Sequence, residues 1–93
     1  MFTGLMTVQM HLHGLNSLKD KRSIVKSLIE RLRSRFNCSV AEVDHNDSRS
    51  SAVIGIAVVS NDKTHVFSQL EAIERFIRGD GRFGVGQTER EII

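Results

Sequence analysis

Apolar residues recur at two different periods along this chain, and the order in which those periods follow one another leaves few folds open to it. Met6, Val8, Met10 and Leu12 alternate with Thr7, Gln9, His11 and His13, which marks Phe2 to His13 as a half-buried strand. From Ser17 to Asn37 the spacing becomes helical, with Ile24, Val25, Leu28, Ile29, Leu32 and Phe36 on one apolar stripe. Cys38 to Asp44 reads as a short strand and His45 to Ser50 as a polar loop. Ala52 to Val59 is apolar almost without interruption, as expected of a central strand covered on much of both faces. A second helical stripe follows in Val66, Leu70, Ile73 and Ile77. Gly79 to Gly86 is a glycine-rich connection, and Gln87 to Ile93 reads as a last, edge strand whose Glu89, Arg90 and Glu91 discourage edge-to-edge pairing.

The order is therefore βαββαβ. A split pair of β-α-β units predicts an α+β fold, the ferredoxin-like plait: a four-stranded antiparallel sheet with both helices on one face. Ninety-three residues suffice for a single domain, 1–93, and leave no room for a second core. The chain has no proline, so its elements are punctuated by Gly, Asn, Asp and Ser. Gly14 to Asn16 forms a turn. Ser17 caps the first helix, with Asp20 as its capping-box partner, and Ser60, Asn61 and Asp62 offer a cap for the second. Asn37 is the expected stop of the first helix. With no Trp or Tyr, the core has to be built mainly from Val, Ile, Leu and Met.

The longest apolar runs fall far short of the roughly 20 residues of a membrane-spanning helix. The N-terminus lacks the basic, apolar and cleavage-site regions of a signal peptide. A lone Cys38 cannot form an internal disulfide. These features predict a cytoplasmic protein with no membrane partner.

Charge is distributed unevenly. Lys19, Lys21, Arg22, Lys26, Arg31, Arg33 and Arg35 are seven of the thirteen Lys and Arg residues, and all lie between Ser17 and Asn37. Only Asp20 and Glu30 oppose them there, so the segment carries +5 against −3 for the remainder and +2 overall. On a helical projection Lys19, Arg22, Lys26 and Arg33 fall within about 60° of one another, beside the apolar stripe. Lys19, Lys21 and Arg22 also crowd the helix N-terminus, where the macrodipole favours anions and cations are misplaced. That pattern predicts a phosphate-binding face made by Lys19, Lys21, Arg22, Lys26 and Arg33, with Arg31, Arg35 and Arg49 as lesser candidates. The expected partner is ribosomal or other structured RNA. The strands expected at the sheet centre offer Thr7, Gln9, His11, Gly55 and Ala57 and no aromatic, so bases cannot stack there and contact should run through phosphates.

Other residue groupings are weaker. His11 and His13, two apart on a strand, would share a face and could begin a metal site with Asp44 or His45, but no Cys pair or His-x3-His spacing accompanies them. Cys38 has no CxxC partner and reads as an inert thiol. Asp44-His45-Asn46-Asp47-Ser48 has the groups of a hydrolytic site, yet the same composition closes an ordinary turn. Gly79-Asp80-Gly81-Arg82-Phe83-Gly84 fits G-x-G-x-x-G, but a helix precedes it and a strand follows, the reverse of a dinucleotide-binding turn. No constellation names a reaction, a cofactor or a metal, so the chain reads as non-enzymatic. An alternative function is a homodimeric interaction module, with Gly55, Ala57 and Val59 lining an open sheet face. A hydrolase or metal enzyme built on His11, His13, Asp44 or His45 is the third.

The run Ser17-Leu-Lys-Asp-Lys-Arg-Ser-Ile-Val-Lys-Ser-Leu-Ile-Glu-Arg-Leu-Arg-Ser-Arg-Phe-Asn37, continued by Val40-Ala-Glu-Val-Asp44 and Gly55-Ile-Ala-Val-Val-Ser-Asn-Asp62, resembles the YlxP-like family of small bacterial proteins of unknown function. The resemblance implies a ferredoxin-like plait. It also implies association with ribosomes or RNA, because genes of that family tend to lie among translation-initiation and ribosome-maturation genes. It carries over no catalytic residue and no cofactor. Many members place a large aromatic before the third strand, where this chain has Asp47-Ser-Arg49-Ser-Ser51.

Overall fold

Six elements make up the computed structural model, which describes residues 1–15 and 17–93: β1 (Phe2–His11), α1 (Leu18–Arg35), β2 (Ser39–Asp44), β3 (Ser51–Ser60), α2 (Lys63–Arg78) and β4 (Gly84–Ile92). The strands form one antiparallel sheet in the order β2-β3-β1-β4. This is the ferredoxin-like plait that the periodicities predict, with the apolar run of β3 and the alternating β1 in the two central places.

The even-numbered residues Met6, Val8 and Met10 of β1 and Ala52, Ile54, Ile56 and Val58 of β3 point into the core. There they meet Val25, Leu28 and Leu32 of α1 and Val66, Leu70, Ile73 and Ile77 of α2, so both helices cover the same face. α2 lies across β1, β3 and β4, and α1 lies beside β2. The close approach of α2 to β1 needs Gly4, because a Cβ there would overlap side-chain atoms of Val66 and Leu70. Odd-numbered positions of β1 and β3 face the other way, onto a sheet surface that carries no helix.

Helix starts follow the expected caps. Ser17 Oγ accepts from the Asp20 backbone N–H at 3.2 Å. Asp62 Oδ1 accepts from the Thr64 and His65 N–H groups at 2.9 and 3.4 Å. Each satisfies donors that a helix N-terminus otherwise leaves without partners.

Three boundaries differ from the sequence reading by two residues or more. β1 ends at His11, two residues early. Beyond it Leu12 N–H donates to Ser50 O at 2.9 Å and Gly14 turns the chain with φ 71°. α1 ends at Arg35 instead of Asn37, because Phe36 becomes extended and sets its ring edge-on against Phe76, with centroids 5.8 Å apart. β4 starts at Gly84, so part of the glycine-rich connection is strand. Gly86 is there because the His11 ring crosses it, and any side chain at 86 would collide with that ring. The turn expected at Gly14 to Asn16 ends on Asn16, which lies outside the described residues.

Among the described residues no helix is long and apolar enough to cross a membrane.

Candidate nucleic-acid interface

α1 positions the cationic ridge. Its buried stripe of Val25, Leu28 and Leu32 faces the sheet, which fixes the rotation of the helix about its axis. Lys19, Arg22, Lys26 and Arg33 are thereby all exposed. Among the described residues no carboxylate lies within ion-pair distance of Lys19, Lys26 or Arg33. Arg22 approaches only Asp47, at 3.9 Å, and that carboxylate is itself 98% exposed. A surface pair of this kind contributes little. Arg22, Lys26 and Arg33 line a shallow groove of about 380 Å³ between α1 and the edge strand β2, floored by Val25, Ile29 and Val40. The Arg33 guanidinium donates to Val40 O at 3.1 Å, which brings its charge to the margin of the sheet.

Lys21 does not belong to this surface, and its assignment as a phosphate contact is corrected. The side chain is fully buried. Its Nζ donates to His45 O at 2.8 Å and to Asn46 O at 3.2 Å. The third contact is Glu42 Oε2, 2.6 Å away and off the angles of a hydrogen bond, which makes it a buried ion pair. Two N–H groups of the ammonium go to carbonyls, its charge is offset by the carboxylate, and no part of it reaches solvent, so nothing remains for an outside anion. The sequence held a signal for this. Lys21, Val25, Leu28 and Leu32 stand at i, i+4, i+7 and i+11, so Lys21 occupies the middle of the apolar stripe rather than the cationic ridge.

Two lesser candidates are also committed within the fold. Arg31 pairs with the enclosed Asp80 carboxylate at 3.1 Å and lies 5.3 Å from the centre of the Phe76 ring. Arg35 stacks on Phe76 at 5.2 Å and on Phe36 at 6.0 Å. Arg49 is exposed on the β2–β3 loop. Arg82 forms a fork on Asp80 at 2.6 and 2.8 Å and reaches Ser27 Oγ at 3.1 Å, tying the α2–β4 connection to α1. The Arg82 hydrogen bond holds the Asp80 carboxyl below its ordinary pKa, against the opposing effect of burial. Glu74 is likewise lowered, first by its hydrogen bond from Arg78 and then, with burial opposing, by that from Arg90.

The histidines do not converge. His11 ends β1 with its ring over Gly86, while His13 lies beyond the strand and no longer shares its face. Among the described residues no group of three His, Cys, Asp or Glu side chains is placed to hold a metal ion. His45 adopts φ 61°, its Nδ1 lies 3.0 Å from Ser51 Oγ, and its Nε2 lies 4.0 Å from Asp44. Ser48 Oγ accepts from the backbone N–H groups of Ser50 and Ser51 at 3.2 Å each, so the hydroxyls are engaged in closing the turn. Burial raises the pKa of the Cys38 thiol despite the nearby Arg33, which keeps it protonated and unreactive at neutral pH.

Comparison with known proteins gives a family and leaves the activity open. The chain is 30% identical over 66 residues to the uncharacterized protein YlxP of Bacillus subtilis (strain 168), spanning 71% of this chain and 72% of that protein. Residues 3–90 match a family described as protein of unknown function (DUF503). With nearly its whole length inside that match, the chain belongs to the DUF503 family, in which YlxP-like proteins fall.

Proposed function

We propose that this protein is a non-enzymatic, cytoplasmic RNA-binding protein that holds ribosomal or other structured RNA by its phosphates, along the exposed flank of α1. The observation that carries the reading is the set of unneutralised cations, Lys19, Arg22, Lys26 and Arg33, on one side of a single helix. Lys21 and Arg31 have buried or enclosed carboxylate partners, so these four are cations that the fold itself does not use for pairing. Free cations aligned over four turns suit a row of phosphates, and releasing their counterions supplies affinity without reading sequence. The open face of the sheet holds Leu5, Thr7, Gln9 and His11 beside Gly55 and Ala57, with no Phe, Tyr or Trp on which a base could stack. Binding is therefore electrostatic and strongly dependent on salt.

The test is binding to purified ribosomal subunits and to a structured RNA across a salt series. Lys19→Glu/Arg22→Glu/Lys26→Glu should abolish the salt-sensitive component, and each single Lys or Arg to Ala change should lower the logarithmic salt slope by about 0.7–0.9. Equal binding by the wild type and the triple variant, with circular dichroism unchanged, refutes the reading.

A further inference from the structure

We propose that the open face of the sheet is the interface for a second copy of this chain, packed sheet to sheet about a two-fold axis parallel to the strands. Around Leu5, Val43 and Val59 this surface is apolar, where soluble proteins usually place polar groups. Val59 is 62% exposed, Val43 55% and Leu5 37%. Leu5 and Val43, with Ala41, Gly55 and Ala57, border a groove of about 480 Å³ that crosses the sheet from β2 to β4. Val43 lies against Gly55 so closely that a Cβ at 55 would crowd its Cγ1 at 2.8 Å. A hollow of small residues beside protruding Leu and Val side chains can accept the same protrusions from another copy.

Charge selects the orientation. Through the ladders, Glu91, Leu5, Ala57 and Ser39 form one row across the sheet, and Glu89, Thr7, Gly55 and Ala41 form the next. Glu89 and Glu91 therefore stand on the open face at the β4 margin, and among the described residues neither has an ion-pair partner. At the opposite margin, Arg33 donates to Val40 O, and Val40 lies between Ser39 and Ala41. The acidic and basic margins thus lie at the same height along the strands, at opposite sides of the sheet. A two-fold axis parallel to the strands exchanges the sides and preserves the height, so Glu89 and Glu91 of each copy meet Arg33 of the other, twice over. An axis across the strands would instead set glutamates over glutamates. Stacked sheets lie about 10 Å apart, and Arg33, coming from α1 behind the sheet, holds its guanidinium at the margin at the level of Val40 O, so its pairing with Glu89 and Glu91 is a charge attraction across that margin.

Area sets the strength. Four strands at about 4.8 Å spacing and about 30 Å long present roughly 570 Å² per copy, or roughly 1,100 Å² for the pair. That just clears the roughly 1,000 Å² expected of a specific interface, and predicts a reversible dimer rather than an obligate one. The RNA face shares Arg33 with this margin, but Lys19, Arg22 and Lys26 lie outside the paired surface, so the triple variant at those three and the Val43→Glu and Val59→Glu variants make the two readings fail separately.

Sedimentation equilibrium of the full chain, from micromolar to about 1 mM, tests this. The wild type should pass reversibly from monomer to dimer. Val43→Glu and Val59→Glu should each remain monomeric with unchanged circular dichroism and melting, since both positions are more than half exposed. Arg33→Glu should weaken the dimer about tenfold or more, and adding Glu89→Arg with Glu91→Arg should restore it. A wild type that is monomeric throughout overturns the proposal, as does a dimer indifferent to Val43→Glu and Val59→Glu. A monomer whose RNA binding is lost in Val43→Glu would assign the face to RNA instead and equally overturn it. Failure of the reversed charges to restore the dimer overturns the two-fold arrangement.

Discussion

Lys21 joins three parts of the fold at one atom, and removing its charge should be among the most damaging single changes available. The ammonium lies wholly out of solvent between α1, the Glu42 carboxylate on β2, and two carbonyls of the β2–β3 loop. Lys21→Met keeps most of the volume and all of the apolar contact, so it tests the charge alone. It leaves Glu42, whose side chain is only 12% exposed, without its counterion. Breaking a buried ion pair from one side costs about 3–5 kcal/mol. A domain of this size has roughly 5–14 kcal/mol in total, and each kcal/mol moves its melting temperature by roughly 4–8 °C. Urea denaturation should therefore show a loss of about 3–5 kcal/mol with the m-value unchanged. The partner experiment is Glu42→Leu in the Lys21→Met background. With both charges gone, the His45 and Asn46 carbonyls, on exposed loop residues, can turn to water, and about 2 kcal/mol or more should return. A cost below about 1 kcal/mol for Lys21→Met, or a double variant whose losses simply add, would refute the account of a coupled buried pair.

Asp80→Asn should loosen the α2–β4 connection by removing the negative charge and one of the two oxygens that accept from Arg31 and Arg82. Because the Asp80 pKa is lowered from 3.8, its stabilisation is complete above that value and is lost as pH falls through the lowered folded-state value. Thermal melts of wild type and Asp80→Asn should therefore converge in strong acid and separate above pH 4; a constant difference would contradict this. Gly4→Ala drives a Cβ into Val66 and Leu70 of α2 and should cost about 1–3 kcal/mol in urea denaturation. Cys38 should react with a disulfide reagent at pH 7 more slowly than a free cysteine, and much faster once unfolded in urea; equal rates would show that its burial has no chemical consequence.

What could be read from the sequence was whatever one element determines alone. The two periods gave the element order, because a stripe or an alternation is a property of consecutive residues. The ends of elements were less legible, since they depend on distant residues. Phe36 leaves the helix to meet Phe76, forty positions away, and β4 begins early because Gly84 and Val85 pair with His11 and Met10 of β1. The candidate site divides along the same line. Helical projection alone separated Lys19, Arg22, Lys26 and Arg33 from the apolar face, but counting cations near the helix N-terminus drew Lys21 into the set. Its place at the head of Val25, Leu28 and Leu32 was visible in the spacing. Its partners, 21 to 25 residues further on, were not. A lysine on an apolar stripe faces a desolvation cost that no surface role repays, so its position implies a buried carboxylate elsewhere in the chain. Glu42 stands out in the same light. It occupies a short strand beside the helix, at the even-numbered parity of Val40, and so on the face where only a charge with a partner could remain.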